Sequence, residues 1–345
     1  MTGGRRGLRG LTLLAVAAGL VSAMVQGCKS DDGDDNKGGS AKTPNGKTCY
    51  AATGSGSVSK AKVAAQGDFG GIFVQPFDAT PSPDGCNLYF TALTPEGLPA
   101  VFRQTEISKD NAPAPTRIDQ GDLFTSPFSI TTSSDGKTLY IADVGASIDD
   151  ENDGGRVWSM PAEGGTPGPV AGADRIAVSS LTLHKDRGGD VLFFAATAGA
   201  NGPGVYRMAA GGGTAEPVAA GEGFVDPVGV AVSDAGEVYA LDTGIEQGTG
   251  TILHLVNGRP EVVATIDDVG FPAGITVSSD GSAVMISTKG AAVRHDLATG
   301  EQAKFNEGIA DFIEPAGLHR AAGSEVYAWV DSLANGQGTL FLISE

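Results

Sequence analysis

From about residue 60 onward the apolar positions of this chain either alternate with polar ones or run together in fours and fives, and no 3.6-residue helical period is present. Residues 224–264 show the pattern best. Val228–Val232 is apolar and rich in β-branched side chains, and Ser233-Asp234-Ala235-Gly236 is a tight turn. Val238–Leu241 and Thr251–Leu255 are two further apolar runs, and Gly258-Arg259-Pro260 turns the chain into Glu261–Ala264. Four short antiparallel strands in about 45 residues predict one blade of a β-propeller.

The unit recurs. Turn glycines followed by a large apolar residue occur at Gly85/Tyr89, Gly136/Tyr140, Gly189/Phe193, Gly236/Tyr239, Gly281/Met285 and Gly323/Tyr327, so successive glycines are 51, 53, 47, 45 and 42 residues apart. Six copies at this spacing predict an all-β, six-bladed propeller and fit no common helical solenoid. Each inner strand opens near a proline (Pro76, Pro127, Pro227, Pro272, Pro315), with Ser180 standing in for it in the third copy. A small residue follows at Ser129, Thr182, Gly229, Gly274 and Gly317, suited to backbones crowding an axis. The sixth copy stops without a fourth strand, whereas Ala61–Phe69 resembles Ala215–Gly221, which ends a blade. The N-terminal segment is therefore expected to pair with Leu340–Leu342 and close the ring, leaving no open sheet edge.

Composition agrees with many short strands and turns: 52 glycines and 18 prolines in 345 residues are too many for a helical protein. Net charge is −18, which argues against a nucleic-acid partner. Residues 1–27 carry Arg5, Arg6 and Arg9 and then an apolar run, Leu11–Val25, the layout of a signal peptide. Val25-Gln26-Gly27-Cys28 resembles the lipobox of bacterial lipoproteins, which implies cleavage before Cys28 and lipidation of its thiol; the competing reading is an ordinary signal peptide or an uncleaved anchor. Loss of residues 1–27, with three arginines and no acid, takes the charge from −18 to −21. Residues 28–48 are Asp, Gly, Ser and Lys with little else and read as a tether; residues 49–345 are the propeller. Two cysteines remain, Cys49 and Cys86, and an oxidising compartment most simply joins them. The chain is thus expected on the bacterial envelope, at a periplasmic or outer-surface face, as a lipid-anchored monomer.

The pattern Pro-x-Gly-Val/Ile-x-Val-Ser-x-Asp/Ala-Gly, then Val-Tyr, then Asp-x-Gly, clearest in Pro227–Asp242 and Pro272–Ile286, resembles NHL-repeat and gluconolactonase-like six-bladed propellers. The lactonases hold a divalent metal at the channel mouth through a Glu, an Asn and an Asp, and the metal polarises the lactone carbonyl. The residues just before the inner-strand prolines here are Gln75, Ser126, Ser179, Asp226, Phe271 and Glu314. Asp226 and Glu314, with Asp78 in the first inner strand, are the candidates for Ca²⁺ or another divalent cation; otherwise Asp226 and Glu314 cap the strand starts or face solvent. The lactonases usually carry Glu-Gly-Pro where this chain has Val74-Gln75-Pro76.

Other chemistry is sparse. Asp149, Glu151 and Asp153, followed by Gly154, alternate as the first ligands of a calcium loop do, without an acid at the twelfth position; a solvated loop is the competing reading. Asp143, Asp242 and Asp331 close three second strands and are expected to accept backbone N–H bonds in the adjoining loop. His184, His254, His295 and His319 share no register and read as structural or surface residues. No nucleophile elbow, zinc motif, haem motif or P-loop is present. Two functional classes follow: a recognition module for a protein, glycan or small ligand, or a metal-dependent lactonase-type hydrolase. A quinone-cofactor sugar dehydrogenase shares the fold, but no supporting His and Arg cluster is found.

Overall fold

The computed structural model of the chain describes Cys49 and residues 60–344 apart from 69, 147–154, 174–175, 200, 245–247, 270–273, 306–312 and 321–325. A leading strand, β1 (Lys60–Gln66), precedes blade 1, which is β2 (Val74–Pro81), β3 (Asn87–Leu93), β4 (Pro99–Thr105) and β5 (Thr116–Arg117). Blade 2 is β6 (Pro127–Thr132), β7 (Thr138–Asp143), β8 (Arg156–Pro161) and β9 (Gly168–Pro169), and blade 3 is β10 (Ala177–Asp186), β11 (Gly189–Ala198), β12 (Gly204–Ala209) and β13 (Glu216–Ala220). Blade 4 is β14 (Pro227–Val232), β15 (Val238–Thr243), β16 (Thr249–Val256) and β17 (Arg259–Asp267). Blade 5 is β18 (Ile275–Val277), β19 (Ala283–Thr288), β20 (Ala291–Asp296) and β21 (Gln302–Phe305). Blade 6 is β22 (Pro315–Arg320), β23 (Val326–Asp331) and β24 (Thr339–Ser344), completed by β1 in the order β22-β23-β24-β1. β1 runs antiparallel to β24, from Lys60 opposite Ser344 to Gln66 opposite Thr339. The ring is therefore closed as the missing fourth strand of the last repeat requires.

The recurring aromatic has a packing cause. Alternate side chains of a strand leave opposite faces of the sheet, so each blade feeds two interfaces. Tyr89 packs with Ile130, Ile141 and Trp158 of blade 2, while its neighbour Phe90 packs with Val326, Ala328 and Leu342 of blade 6. The described apolar core forms six such clusters, one at each blade-to-blade interface. At the closing interface Phe73, Phe90 and Phe102 interlock, with ring centroids 4.8, 5.9 and 5.2 Å apart.

The hairpins joining first to second strands explain the Ser-x-Asp-Gly signature. Ser82, Ser133 and Ser278 each donate a hydroxyl hydrogen bond to the aspartate two residues on, and accept backbone N–H bonds from residues just beyond the glycine. Gly85, Gly136, Gly236 and Gly281 sit at φ 64, 70, 88 and 73°, a region costly for any residue with a Cβ. Blade 3 lacks the signature and turns instead through Arg187–Gly188 between ten-residue strands. The small residues also have the expected role at the axis: a Cβ on Gly274 would overlap the backbone of Leu318, and one on Gly317 would overlap the Asp78 carboxylate.

Two details depart from the pattern. Pro76 lies inside β2, at a register shift between Val74 and Asp78, and not at its first residue. The sequence predicts the fourth strand of blade 2 at Pro169-Val170-Ala171, and it forms slightly earlier, at Gly168–Pro169. Pro272 lies outside the described residues, as do the tether, the lipobox with Cys28, and the loop holding Asp149, Glu151 and Asp153.

Candidate functional site

In an up-and-down blade the start of the inner strand and the end of the second strand share one end of the sheet. That end of the ring is the channel mouth, and three aspartates organise it. Asp143 accepts from Thr125 N and Ser126 N at 2.9 and 2.6 Å. Asp242 accepts from Val225 N and Asp226 N at 2.9 and 3.1 Å. Asp331 accepts from Ile313 N and Glu314 N at 2.7 and 3.2 Å, and from Leu333 N and Ala334 N at 3.0 and 2.8 Å. The expected loop-bonding role is thus met in every second blade, 2, 4 and 6. Burial pushes the Asp242 carboxyl above the ordinary carboxylate range; its two backbone donors oppose the shift and the Asp226 carboxylate adds to it.

Each clamp fixes a pair of residues just ahead of the inner-strand proline. The first of the pair is exposed (Thr125, Val225, Ile313) and the second is half-buried (Ser126, Asp226, Glu314). Val225 is 54% and Ile313 47% exposed, so two branched apolar side chains stand in solvent on a backbone held by the Asp242 and Asp331 carboxylates. Just inside the mouth the rings of Phe77 and Phe128 pack at 5.0 Å.

Asp78 does something else. It is buried on β2, where its Oδ1 accepts from Ala79 N at 2.8 Å. Its Oδ2 accepts from Ile130 N at 2.8 Å and lies 2.8 Å from Nε2 of His319, itself buried on β22. One carboxylate thus ties blade 1 to both of its neighbours, blade 2 and blade 6, beside Gly317, where no other residue leaves room for it. The sequence reading missed this role for His319. Its only signal was that His319 and Asp78 both fall within inner strands of neighbouring blades.

The trio considered for a divalent cation is therefore not assembled. Asp78 lies two residues past its proline, inside the channel, with both oxygens engaged; Asp226 and Glu314 lie one residue before theirs, on the rim. Asp226 accepts from the Thr243 hydroxyl at 3.2 Å, and Glu314 lies 4.0 Å from Lys289 Nζ. Among the described residues no group of three or more His, Cys, Asp or Glu side chains is placed to hold a metal ion. The remaining histidines are peripheral: His254 lies 2.7 Å from Glu237 and stacks on Tyr239, and burial lowers the pKa of His295. Cys49 and Cys86 do form a disulfide, with Cα atoms 4.8 Å apart, tying the segment before β1 to the first hairpin.

No family model matches the chain, and no curated protein matches it in sequence. Solved structures do match. A gluconolactonase from Xanthomonas campestris is 14% identical, with 84% of this chain and 98% of that one covered and a TM-score of 0.53. A protein from Agrobacterium tumefaciens provisionally named TolB is 16% identical over 79% and 91%, TM-score 0.54. A chain of a nidogen/laminin complex is 16% identical over 67% and 79%, TM-score 0.51. The likeness is one of fold. It bears out the resemblance to gluconolactonase-like propellers at the level of architecture; at this identity it transfers no activity.

Proposed function

We propose that the protein is an envelope-anchored recognition module that binds its partner at the channel mouth. The observation that carries this reading is the clamped display in blades 2, 4 and 6, which holds Val225 and Ile313 exposed beside Asp226 and Glu314. Apolar side chains exposed from a fixed backbone on a polar rim suit a binding face, since little backbone ordering entropy is then lost on association. The axis supports the same reading, because Asp78 and His319 spend their hydrogen-bonding capacity on each other and on strand β6. In this reading Cys28 carries the lipid and residues 28–48 let the propeller reach away from the membrane.

A metal-dependent lactonase is the second reading, resting on two half-buried carboxylates, Asp226 and Glu314, at one rim. One experiment separates the two. A photo-crosslinking amino acid is placed at Val225, at Ile313, or at Val262 on the outermost strand of blade 4, in the full-length protein in its native envelope. A discrete adduct from Val225 and Ile313 but not from Val262 is expected. Adducts from Val262 alone, or lactone hydrolysis that needs a divalent cation and is abolished by Asp226→Asn and Glu314→Gln, would overturn the recognition reading.

A further inference from the structure

We infer that the segment recognised at the mouth is a cationic polypeptide stretch with interleaved apolar side chains; this rests on the mouth being the binding face. The first ground is where the apolar surface lies. Strand order places the connections from each blade to the next, and from second to third strands, at the mouth end. Seven large apolar side chains are exposed among the described residues, and five belong to these connections: Ile72, Leu98, Leu123, Val225 and Ile313. The other two, Val63 and Val262, lie on the outermost strands β1 and β17. Apolar surface concentrated at one end of a ring is the mark of an interaction face.

The second ground is charge, and the two ends of the ring differ in balance. At the far end several acids are matched, and although Asp84, Asp186, Asp190, Asp280 and Glu301 have no ion pair, the hairpins there also carry Lys185 and Arg187. Glu106 pairs with Lys109, Asp110 with Lys62, Asp135 with Lys137, Glu163 with Arg103, and Asp234 with Arg320. At the mouth end Arg117 holds Asp119 and Asp122, but Asp68, Glu96, Glu222, Asp226 and Asp268 have no such ion pair, and Glu314 has only Lys289 at 4.0 Å. Lys289 is the one cation among the described residues of these connections. The mouth is thus an apolar surface inside an unneutralised negative field.

That combination selects the occupant. An anionic lipid surface and a nucleic acid are both repelled by the field. A neutral ligand would leave the carboxylates unused. A polypeptide with Lys or Arg alternating with Leu, Ile or Val answers both features, the cations steering association and the apolar residues meeting Val225 and Ile313.

The test uses three synthetic probes with the full-length protein: peptides of alternating Lys and Leu, Lys and Ser, and Glu and Leu. Fluorescence anisotropy is expected to show binding of the Lys–Leu peptide that weakens steeply as salt rises, with the other two bound at least roughly tenfold more weakly. The double change Val225→Ser, Ile313→Ser is expected to cost about tenfold in affinity, while Val262→Ser costs nothing. Because both altered side chains are solvent-exposed and their backbone clamps are untouched, the folded state should survive, as a thermal melt will report. Equal binding of the Lys–Ser peptide, indifference to the double change, or tighter binding to anionic vesicles than to the Lys–Leu peptide would overturn the inference. Mouth-specific crosslinks without any peptide binding would refute this partner chemistry and leave the recognition reading standing; loss of both would refute both.

Discussion

Replacing Asp78 by alanine is expected to destabilise the ring by about 4 kcal/mol. The change removes the one acceptor shared by Ile130 N and His319 Nε2, both deep in the axis; the His319 side chain is 6% exposed and that of Asp78 1%. A buried donor left without an acceptor costs about 1–3 kcal/mol, and two are stranded. Two stranded donors at about 2 kcal/mol each give the value stated. Against a typical total of about 5–15 kcal/mol this is a large loss. Urea unfolding followed by Trp158 and Trp329, buried in blades 2 and 6, measures it as a shifted midpoint with an unchanged slope. His319→Ala should fall in the same range, and the double variant should show coupling of about 1 kcal/mol or more. A loss below about 1 kcal/mol, or a gain, would refute the axial tie, because a carboxylate reserved for a ligand is a burden to the empty fold.

Asp331→Ala leaves Ile313, Glu314, Leu333 and Ala334 without their shared acceptor. It is expected to cost about 2–4 kcal/mol and to speed amide exchange at those four positions ahead of global unfolding. Asp296 is held well below the ordinary carboxylate range, at about 2, by the backbone N–H and hydroxyl of Thr299. Its bonds therefore support the folded state above the unfolded pKa and are lost as pH falls through about 2; a carboxyl carbon titration by NMR should show that midpoint, and Thr299→Val should raise it. Reducing the Cys49–Cys86 disulfide frees a loop of 37 residues and should lower stability by about 4 kcal/mol on the chain-entropy model, read by denaturation with and without reductant.

The sequence by itself determined the architecture, because a propeller is a local object repeated. A blade needs alternating apolar strands, tight glycine-bearing hairpins and a large side chain for the interblade face, and all three are visible within about 45 residues. Ring closure was legible as well, since a fourth strand absent after Leu342 and surplus at Ala61 leaves the chain one way to satisfy its edge hydrogen bonds. The turn role of Asp143, Asp242 and Asp331 followed from recurrence. What only the tertiary structure decided is everything that joins the inner strands of neighbouring blades. Ile130 and His319 lie 52 and 241 residues from Asp78 along the chain, yet meet it because the inner strands of neighbouring blades line one channel. No periodicity encodes that meeting, so Asp78 looked like a partner for Asp226 and Glu314 when its two-residue offset past the proline had placed it inside the channel. The concentration of exposed apolar side chains at one end is likewise a property of the closed ring, for only closure brings loops 40 to 50 residues apart into a single face.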